Sequence, residues 1–266
     1  MLAASLVTAC FPLVRHQHAL RVLVFNIHAG KDAGGHDKVA DLASLIRKSN
    51  ADVVLLQEVD RGTNRSGKVD QVQALMDRTR YTAVFGQSLE YDGGQYGIAA
   101  LSRRAFTFAQ TAPLPVTPAQ TRAGGSHEPR VALLTVAITA LGSLQAVTTH
   151  LDASADQGYR LQEVLRLIDV IRPRLSSLTP VVAGGDFNAE PASEVIQKMR
   201  DAGFHDAWAE CGQGDGFTYP SDHPVKRIDY VFFTAPVRCT SAQVLDTQIS
   251  DHRPLLVTLA GIGTGL

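Results

Sequence analysis

Residues 181–191, VVAGGDFNAEP, run an apolar strand into two glycines and then offer an aspartate and an asparagine two positions apart. Side chains at i and i+2 of a strand face the same side. Asp186 and Asn188 are therefore expected to direct a carboxylate and a carboxamide at one spot, with Gly184 and Gly185 letting the backbone turn tightly beside it. Asp, Asn and Gly are also the commonest turn residues. Read alone, the stretch is equally a plain strand-to-helix turn with Asn188 or Ser193 as the cap. The choice rests on whether other strand ends carry matching chemistry.

The chain has 266 residues, 45% of them hydrophobic, enough for one large core or two modest ones. A formal net charge of −1 supplies no global positive field and disfavours a dedicated duplex-DNA binder. Cys10, Cys211 and Cys239 are too few and too scattered for a disulfide framework or a zinc site. In an exported protein Cys211 could still pair with Cys239. Segment 1–19 is apolar, and its Val7-Thr8-Ala9-Cys10 resembles a bacterial lipobox. It reads either as the remnant of a signal or lipoprotein peptide, with an envelope location and membrane association through a lipidated Cys10, or as a frayed apolar tail. No other apolar run approaches the length that spans a bilayer.

The body, residues 20–260, reads as a single domain, with a tail over 261–266. LRVLVFNIHAG (20–30) is a β-branched strand that stops at Asn26, and DKVADLASLIRKSN (37–50) sets Val39, Leu42, Leu45 and Ile46 on one helix face. ADVVLLQEVD (51–60) is a second buried strand ending in Gln57, Glu58 and Asp60, so the chain starts as a βαβ-like unit. DQVQALMDRTR reads as a short helix, and YTAVFGQSL and YGIAALSRRAF as strands. Residues 111–129 read as a Pro/Gly-rich surface loop, and RVALLTVAIT and LQAVTTHLD as a strand pair. A helix follows with Leu161, Val164, Leu165, Ile168 and Ile171 at helical spacing. After 181–191 come a helix closed by Gly203 and the strands KRIDYVFFT, RCTSAQVLD and SDHRPLLVTLA. No repeat or dividing linker appears. The order argues for one α/β domain with mixed sheets.

Polar residues collect at the ends of these apolar strands: Asn26, Glu58, His150, Asp186, Asn188, Asp229, Asp251 and His252. Each alone has a plain explanation, Asp229 as an ion-pair partner of Arg227 among them. Together they form an oxygen-rich donor set without cysteine, suited to Mg²⁺ or Mn²⁺, beside histidines that can donate to a phosphate. A phosphodiester is anionic and repels hydroxide, so its hydrolysis needs charge compensation and a base together.

FNIHAG, LLQEVD, YGIAALSR, TTHLD, GGDFN, RIDYVF and SDHRP, in this order, resemble the endonuclease/exonuclease/phosphatase (DNase I-like) superfamily, from about Leu20 to about Leu259. The resemblance implies a four-layer α/β sandwich, two packed mixed β-sheets flanked by helices. It implies a Mg²⁺- or Mn²⁺-dependent phosphoester hydrolase in which Asn26, Glu58 and Asp251 serve the metal, Glu58 being the principal ligand. Asp186 would orient and deprotonate the attacking water, and Asn188 would help hold it. His150 would hydrogen-bond a non-bridging oxygen, and His252 would contact the phosphate while Asp229 fixes its tautomer.

Substrate is less legible. NIHAGKD, QEVDRGTNRSGKVDQ and EPRVAL are similar to a bacterial branch described only as metal-dependent hydrolases, and to the soluble domain of proteins acting on glycosylphosphatidylinositol lipids. His28 and Asp32 depart from the DNA-repair branch. Arg65, Tyr96 and Arg130 are candidate substrate-binding residues; a solvated loop and ordinary packing are the plain readings. Asp222 and His223 read as a turn, and Trp208 as packing on a core edge. A monomer acting on a lipid headgroup, nucleotide or small phosphodiester is expected. A nuclease using the same site is the alternative, and a non-catalytic phosphate-binding module a further one.

Overall fold

The computed structural model describes residues 19–119, 128–176 and 178–262. The lipobox-like Cys10 lies outside the described residues. Strands β1 (Ala19–Asn26), β2 (Val53–Arg61), β3 (Thr82–Tyr91), β4 (Gly94–Ser102), β11 (Val237–Val244) and β12 (Leu255–Gly261) form one sheet in the order β11-β12-β1-β2-β4-β3. Strands β5 (Phe106–Pro113), β6 (Val131–Thr139), β7 (Gly142–His150), β8 (Val181–Asp186), β9 (His205–Asp206) and β10 (Asp229–Phe233) form the other, in the order β5-β6-β7-β8-β10-β9. Each sheet is mixed, with one parallel pair at its heart: β1 with β2, and β7 with β8. This is the expected four-layer DNase I-like sandwich.

The near-continuous apolar strands follow from burial on both faces. Val22, Val24, Val53 and Leu55 from the first sheet meet Ala146, Val182, Val231 and Phe233 from the second in the inter-sheet core. The alternate residues Leu23, Phe25, Val54 and Leu56 face outward against Leu42 and Ile46 of α1 (Val39–Ser49) and Leu75 of α2 (Gln71–Thr79). On the far side, Val147, Val181, Ala183 and Phe232 pack on Val164, Leu167, Ile168 and Ile171 of α3 (Gly158–Ile171) and Val195 of α4 (Glu194–Asp201). Leu165 falls off that stripe and is exposed. The expected loop over 111–129 starts late, because β5 runs to Pro113 on the edge of its sheet.

The two glycines are not a tight turn. They lie inside β8, where a Cβ on Gly185 would sit 1.9 Å from the Thr149 carbonyl oxygen and one on Gly184 would sit 2.6 Å from Val24 Cγ2. Close approach of neighbouring backbone, and of the opposite sheet, is what requires glycine here.

Cys211, at the end of the short helix α5 (Ala207–Cys211), is bonded to Cys239 on β11, with Cα atoms 5.8 Å apart. The bridge ties an edge of one sheet to a helix on the other. Trp208 on α5 is half-buried against the inter-sheet core, as expected. No helix among the described residues is long and apolar enough to cross a membrane.

Candidate active site

The inter-sheet core is a ladder of inward-facing residues with a period of two, and at one end its rungs turn polar. Val22 and Val24 lead to Asn26 on β1, Ala146 and Thr148 to His150 on β7, and Val182 and Gly184 to Asp186 on β8. Phe233 and Val231 lead to Asp229 on β10. β10 runs antiparallel to β8, so Asp229 pairs with Asp186 in register. The loop before β12 brings Asp251 and His252 to the same end, because β12 is antiparallel to β1 with Leu255 opposite Val24.

Glu58 breaks this parity. Leu56 faces the helices, and in a regular strand Glu58 would too. The register of β2 against β4 shifts between Leu56 and Val59, and Glu58 adopts a left-handed φ of 58°. This bulge re-aims its carboxylate into the site. Glu58 therefore sits inside β2 rather than at a strand end. Asn188 is likewise past the end of β8 with φ 47°, so a left-handed residue, not strand alternation, turns its side chain to the spot faced by Asp186.

Asp186 is the hub. Its Oδ1 accepts the Asn188 backbone N–H at 2.8 Å, and its Oδ2 accepts the Asn26 amide at 3.1 Å. That same Oδ2 lies 3.6 Å from Nε2 of both His150 and His252. His252 Nδ1 is 2.9 Å from Asp229 Oδ2, and Tyr219 packs its ring on the imidazole at 4.8 Å between centroids. Burial and the neighbouring Asp229 charge push the Asp186 carboxyl up to about 7, against the restraining His252 charge. For His252 burial opposes the charge, but Asp229 and Asp186 outweigh it and raise the imidazole to about 10. His150 goes the other way, well below its ordinary value, through burial and the charges of Arg130 and His252.

The two histidines thus sit on one carboxylate in different states, His252 cationic and His150 neutral. The Asn188 amide nitrogen donates to the Leu151 carbonyl at 3.0 Å and lies 3.2 Å from His150 Nε2.

Glu58, His150, Asp186, Asn188, Asp251 and His252 line one cavity of about 650 Å³. Asn26 and Asp229 stand behind it. Asn26 donates its amide nitrogen to Glu58 Oε1 at 3.0 Å as well as to Asp186, while its oxygen takes the His28 backbone N–H at 3.1 Å. Glu58 forms no ion pair with a Lys or Arg among the described residues, and Asp251 has only His28 Nδ1 at 3.9 Å. Two half-buried carboxylates facing a cavity without a lysine or arginine partner among the described residues are the donor chemistry of a hard divalent cation. Asp186, Asp229 and His252 also bring one donor atom each within 4.8 Å of one another. There the cationic imidazole already supplies the positive charge.

Arg65, Tyr96 and Arg130 line the same cavity. Arg65 is clamped by Asp60, Nε and Nη2 each 2.8 Å from a carboxylate oxygen, with its Cζ 4.6 Å from the Tyr91 ring centroid and 5.3 Å from that of Tyr96. Arg130 is buried against Glu128 at 2.7 Å. Sequence reasoning missed Tyr91, Tyr219 and Arg160 as parts of this wall; the aromatic residues carry no local signal beyond their type. Arg227 pairs with Asp206 at 3.0 Å, not with Asp229. Asp32 turns to His36, and Asp222 caps the His223 N–H in a turn.

The model of the endonuclease/exonuclease/phosphatase family matches residues 23–252. The chain belongs to this family. Its members are phosphoester hydrolases, generally dependent on a divalent metal. No curated protein matches the sequence. Among solved structures, an endonuclease/exonuclease/phosphatase from Beutenbergia cavernae is similar with a TM-score of 0.74 at 22% identity, over 92% of this chain and 72% of that one. A mannosyl-6-phosphatase from Bacteroides thetaiotaomicron reaches 0.75 at 15%, over 91% and 99%. The human Nocturnin catalytic domain reaches 0.71 at 22%, over 92% and 94%. At these identities the likeness is one of fold.

Proposed function

We propose that this family member is a Mg²⁺- or Mn²⁺-dependent phosphodiesterase or phosphatase acting on a small phosphoester. The observation that carries the reading is the convergence of both sheets on one carboxylate: Asp186, held by the Asn188 N–H and the Asn26 amide, lies between a neutral and a cationic histidine. A carboxyl raised toward neutrality is matched to taking a proton from water near physiological pH. Asp186 accepts that proton as the water oxygen bonds to phosphorus and the phosphorus–ester-oxygen bond breaks, the departing oxygen keeping the electron pair and taking its proton from solvent. His252, kept protonated by Asp229, donates to a phosphoryl oxygen as negative charge grows there. His150 and Asn188 fix the approach.

Glu58 and Asp251 would hold the metal, with Asn26 orienting Glu58 through its hydrogen bond. The ion would offset phosphate charge. Several cavity cations are matched with carboxylates, Arg65 by Asp60 and Arg130 by Glu128, and the cavity is walled on several sides. That favours a compact substrate over a tracked polynucleotide, whose binding would weaken steeply with salt.

The test is hydrolysis of bis-(p-nitrophenyl) phosphate and p-nitrophenyl phosphate with Mg²⁺, Mn²⁺ or EDTA, alongside Mn²⁺ titration of wild type and Glu58→Gln. Metal-dependent turnover, with at least about tenfold weaker Mn²⁺ binding in the variant, is expected. Unchanged Mn²⁺ affinity would refute the assignment of Glu58. Metal-independent turnover would refute the mechanism.

A further inference from the structure

Arg160, in the first turn of α3, is 8% exposed and lines the active-site cavity. It forms an ion pair with no carboxylate among the described residues. Its Nη1 donates to the Asp152 and Ser154 carbonyls, on the loop that leaves His150. Its Nε is buried without a hydrogen-bond partner. Nη2 makes no hydrogen bond among the described residues, yet it is not one of the buried unpartnered atoms, so it is the nitrogen left to the cavity.

A guanidinium taken out of water normally has a counter-charge, because neutral carbonyls satisfy its donors without offsetting the charge. The nearby Glu163 does not supply one: its Oε2 is engaged by the Asp152 N–H, and burial keeps the acid protonated up to about pH 8. Ala189, Glu190 and Ser193, which follow Asn188, continue the cavity wall, as does Lys226, an exposed lysine with no ion-pair partner among the described residues. Of the acids there, Glu190 is exposed at the rim.

We propose that Arg160, assisted by Lys226, binds a second anionic group of the substrate, a phosphate or carboxylate carried beyond the scissile phosphoryl group. The substrate class is then a phosphoester bearing two separated negative groups, which Arg160 anchors through Nη2 while Asp186 and His252 face the reacting phosphorus. This inference rests on the phosphoester-hydrolase reading above. It makes Arg160 a specificity residue that also braces the His150 loop, and the two roles separate experimentally.

The experiment is calorimetric titration of the Mn²⁺-loaded protein with propyl phosphate, propane-1,3-diol bisphosphate and 4-phosphonooxybutanoate, with phosphate release followed in parallel. Wild type is expected to bind at least one doubly anionic ligand about tenfold or more tightly than propyl phosphate. The tighter of the two tells phosphate from carboxylate. Arg160→Gln should erase that preference while leaving propyl phosphate within about threefold, and Arg160→Lys should retain part of it. Equal binding of all three ligands by wild type would overturn the proposal. So would an Arg160→Gln variant that weakens every ligand alike, the signature of loop bracing alone. Should Arg160→Gln fail to fold, Lys226→Gln, altered only at the surface, decides by loss or retention of the preference. A preference that persists without turnover of any phosphoester would sink the hydrolase reading and keep the anion subsite.

Discussion

Reducing the Cys211–Cys239 bridge is expected to lower the melting temperature by about 7 °C while leaving catalysis intact at 25 °C. The bridge closes a sequence separation of 28 residues. Loop-closure entropy for that length gives about 3.6 kcal/mol at 25 °C. With about 2.1 cal/mol/K of unfolding entropy per residue over the roughly 235 described residues, the entropy near the midpoint is about 0.5 kcal/mol/K, which sets the 7 °C shift. Turnover should survive because of where the bridge lies. Cys239 pairs across β12 with Leu259, and Leu259 pairs with Leu20 at the start of β1, the end opposite Asn26. The assay is thermal unfolding by circular dichroism with and without dithiothreitol, with Cys211→Ala/Cys239→Ala as control and kcat/KM on bis-(p-nitrophenyl) phosphate at 25 °C. The double variant should be indifferent to reductant. A shift under about 2 °C on full reduction would refute the entropic reasoning. An unchanged melting temperature with a large loss of turnover would refute the placement of the bridge away from the site.

Asp229→Asn should cut kcat/KM by about a hundredfold or more. It should also move the alkaline limb of the pH–rate profile, set by His252 near pH 10, to lower pH, because the variant removes the charge that outweighs burial; an unmoved limb would exclude His252 as the proton donor. Gly185→Ala should destabilise by about 2 kcal/mol or more, since its Cβ would meet the Thr149 oxygen at 1.9 Å, and an unchanged urea midpoint would contradict the packing of β7 on β8. Glu163 is held protonated up to about pH 8 in the fold but ionises near its ordinary value of 4.5 in the unfolded chain, so it makes wild-type stability fall as pH rises between those values. Glu163→Gln should match wild type near pH 4 and exceed it progressively toward pH 8.5, and melting curves that stay parallel across this range would show that the acid is not buried neutral.

Much of the site is legible in the sequence because it obeys the strand period. V-x-V-x-N at 22–26, T-x-H at 148–150, G-x-D at 184–186 and D-x-V at 229–231 each place the functional side chain two positions from an interior residue. What escapes is whatever depends on a register shift or a distant partner. Glu58 is on the wrong parity until a bulge turns it, and the strand alone does not announce a bulge. Gly184 and Gly185 look like turn residues because the atoms that exclude a Cβ belong to Val24 and Thr149, far along the chain. Arg227 has Asp229 two residues away in sequence, yet it reaches Asp206 on β9 with both terminal nitrogens, which frees Asp229 for His252. Arg160 reads as one more polar position on an amphipathic helix. Only its burial without an ion-pair partner among the described residues marks it out.

The same parity explains why the chemistry needs both sheets at a fixed separation. Gln57 on β2 donates to Thr148 Oγ1 on β7 at 2.8 Å, a polar rung between apolar ones and the site. Beside it, Gly184 lets β8 approach Val24 so closely that a methyl group would collide. One rung further, the closeness set by Gly184 becomes the 3.1 Å hydrogen bond from Asn26 to Asp186, and through the same amide the 3.0 Å bond to Glu58. Carboxylates from opposite sheets, the one proposed to hold the metal and the one proposed to activate the water, are thus joined through one asparagine whose position the core dictates. A catalytic distance is here a packing distance, and the absence of a side chain at Gly184 belongs to the active site although the residue touches nothing that reacts.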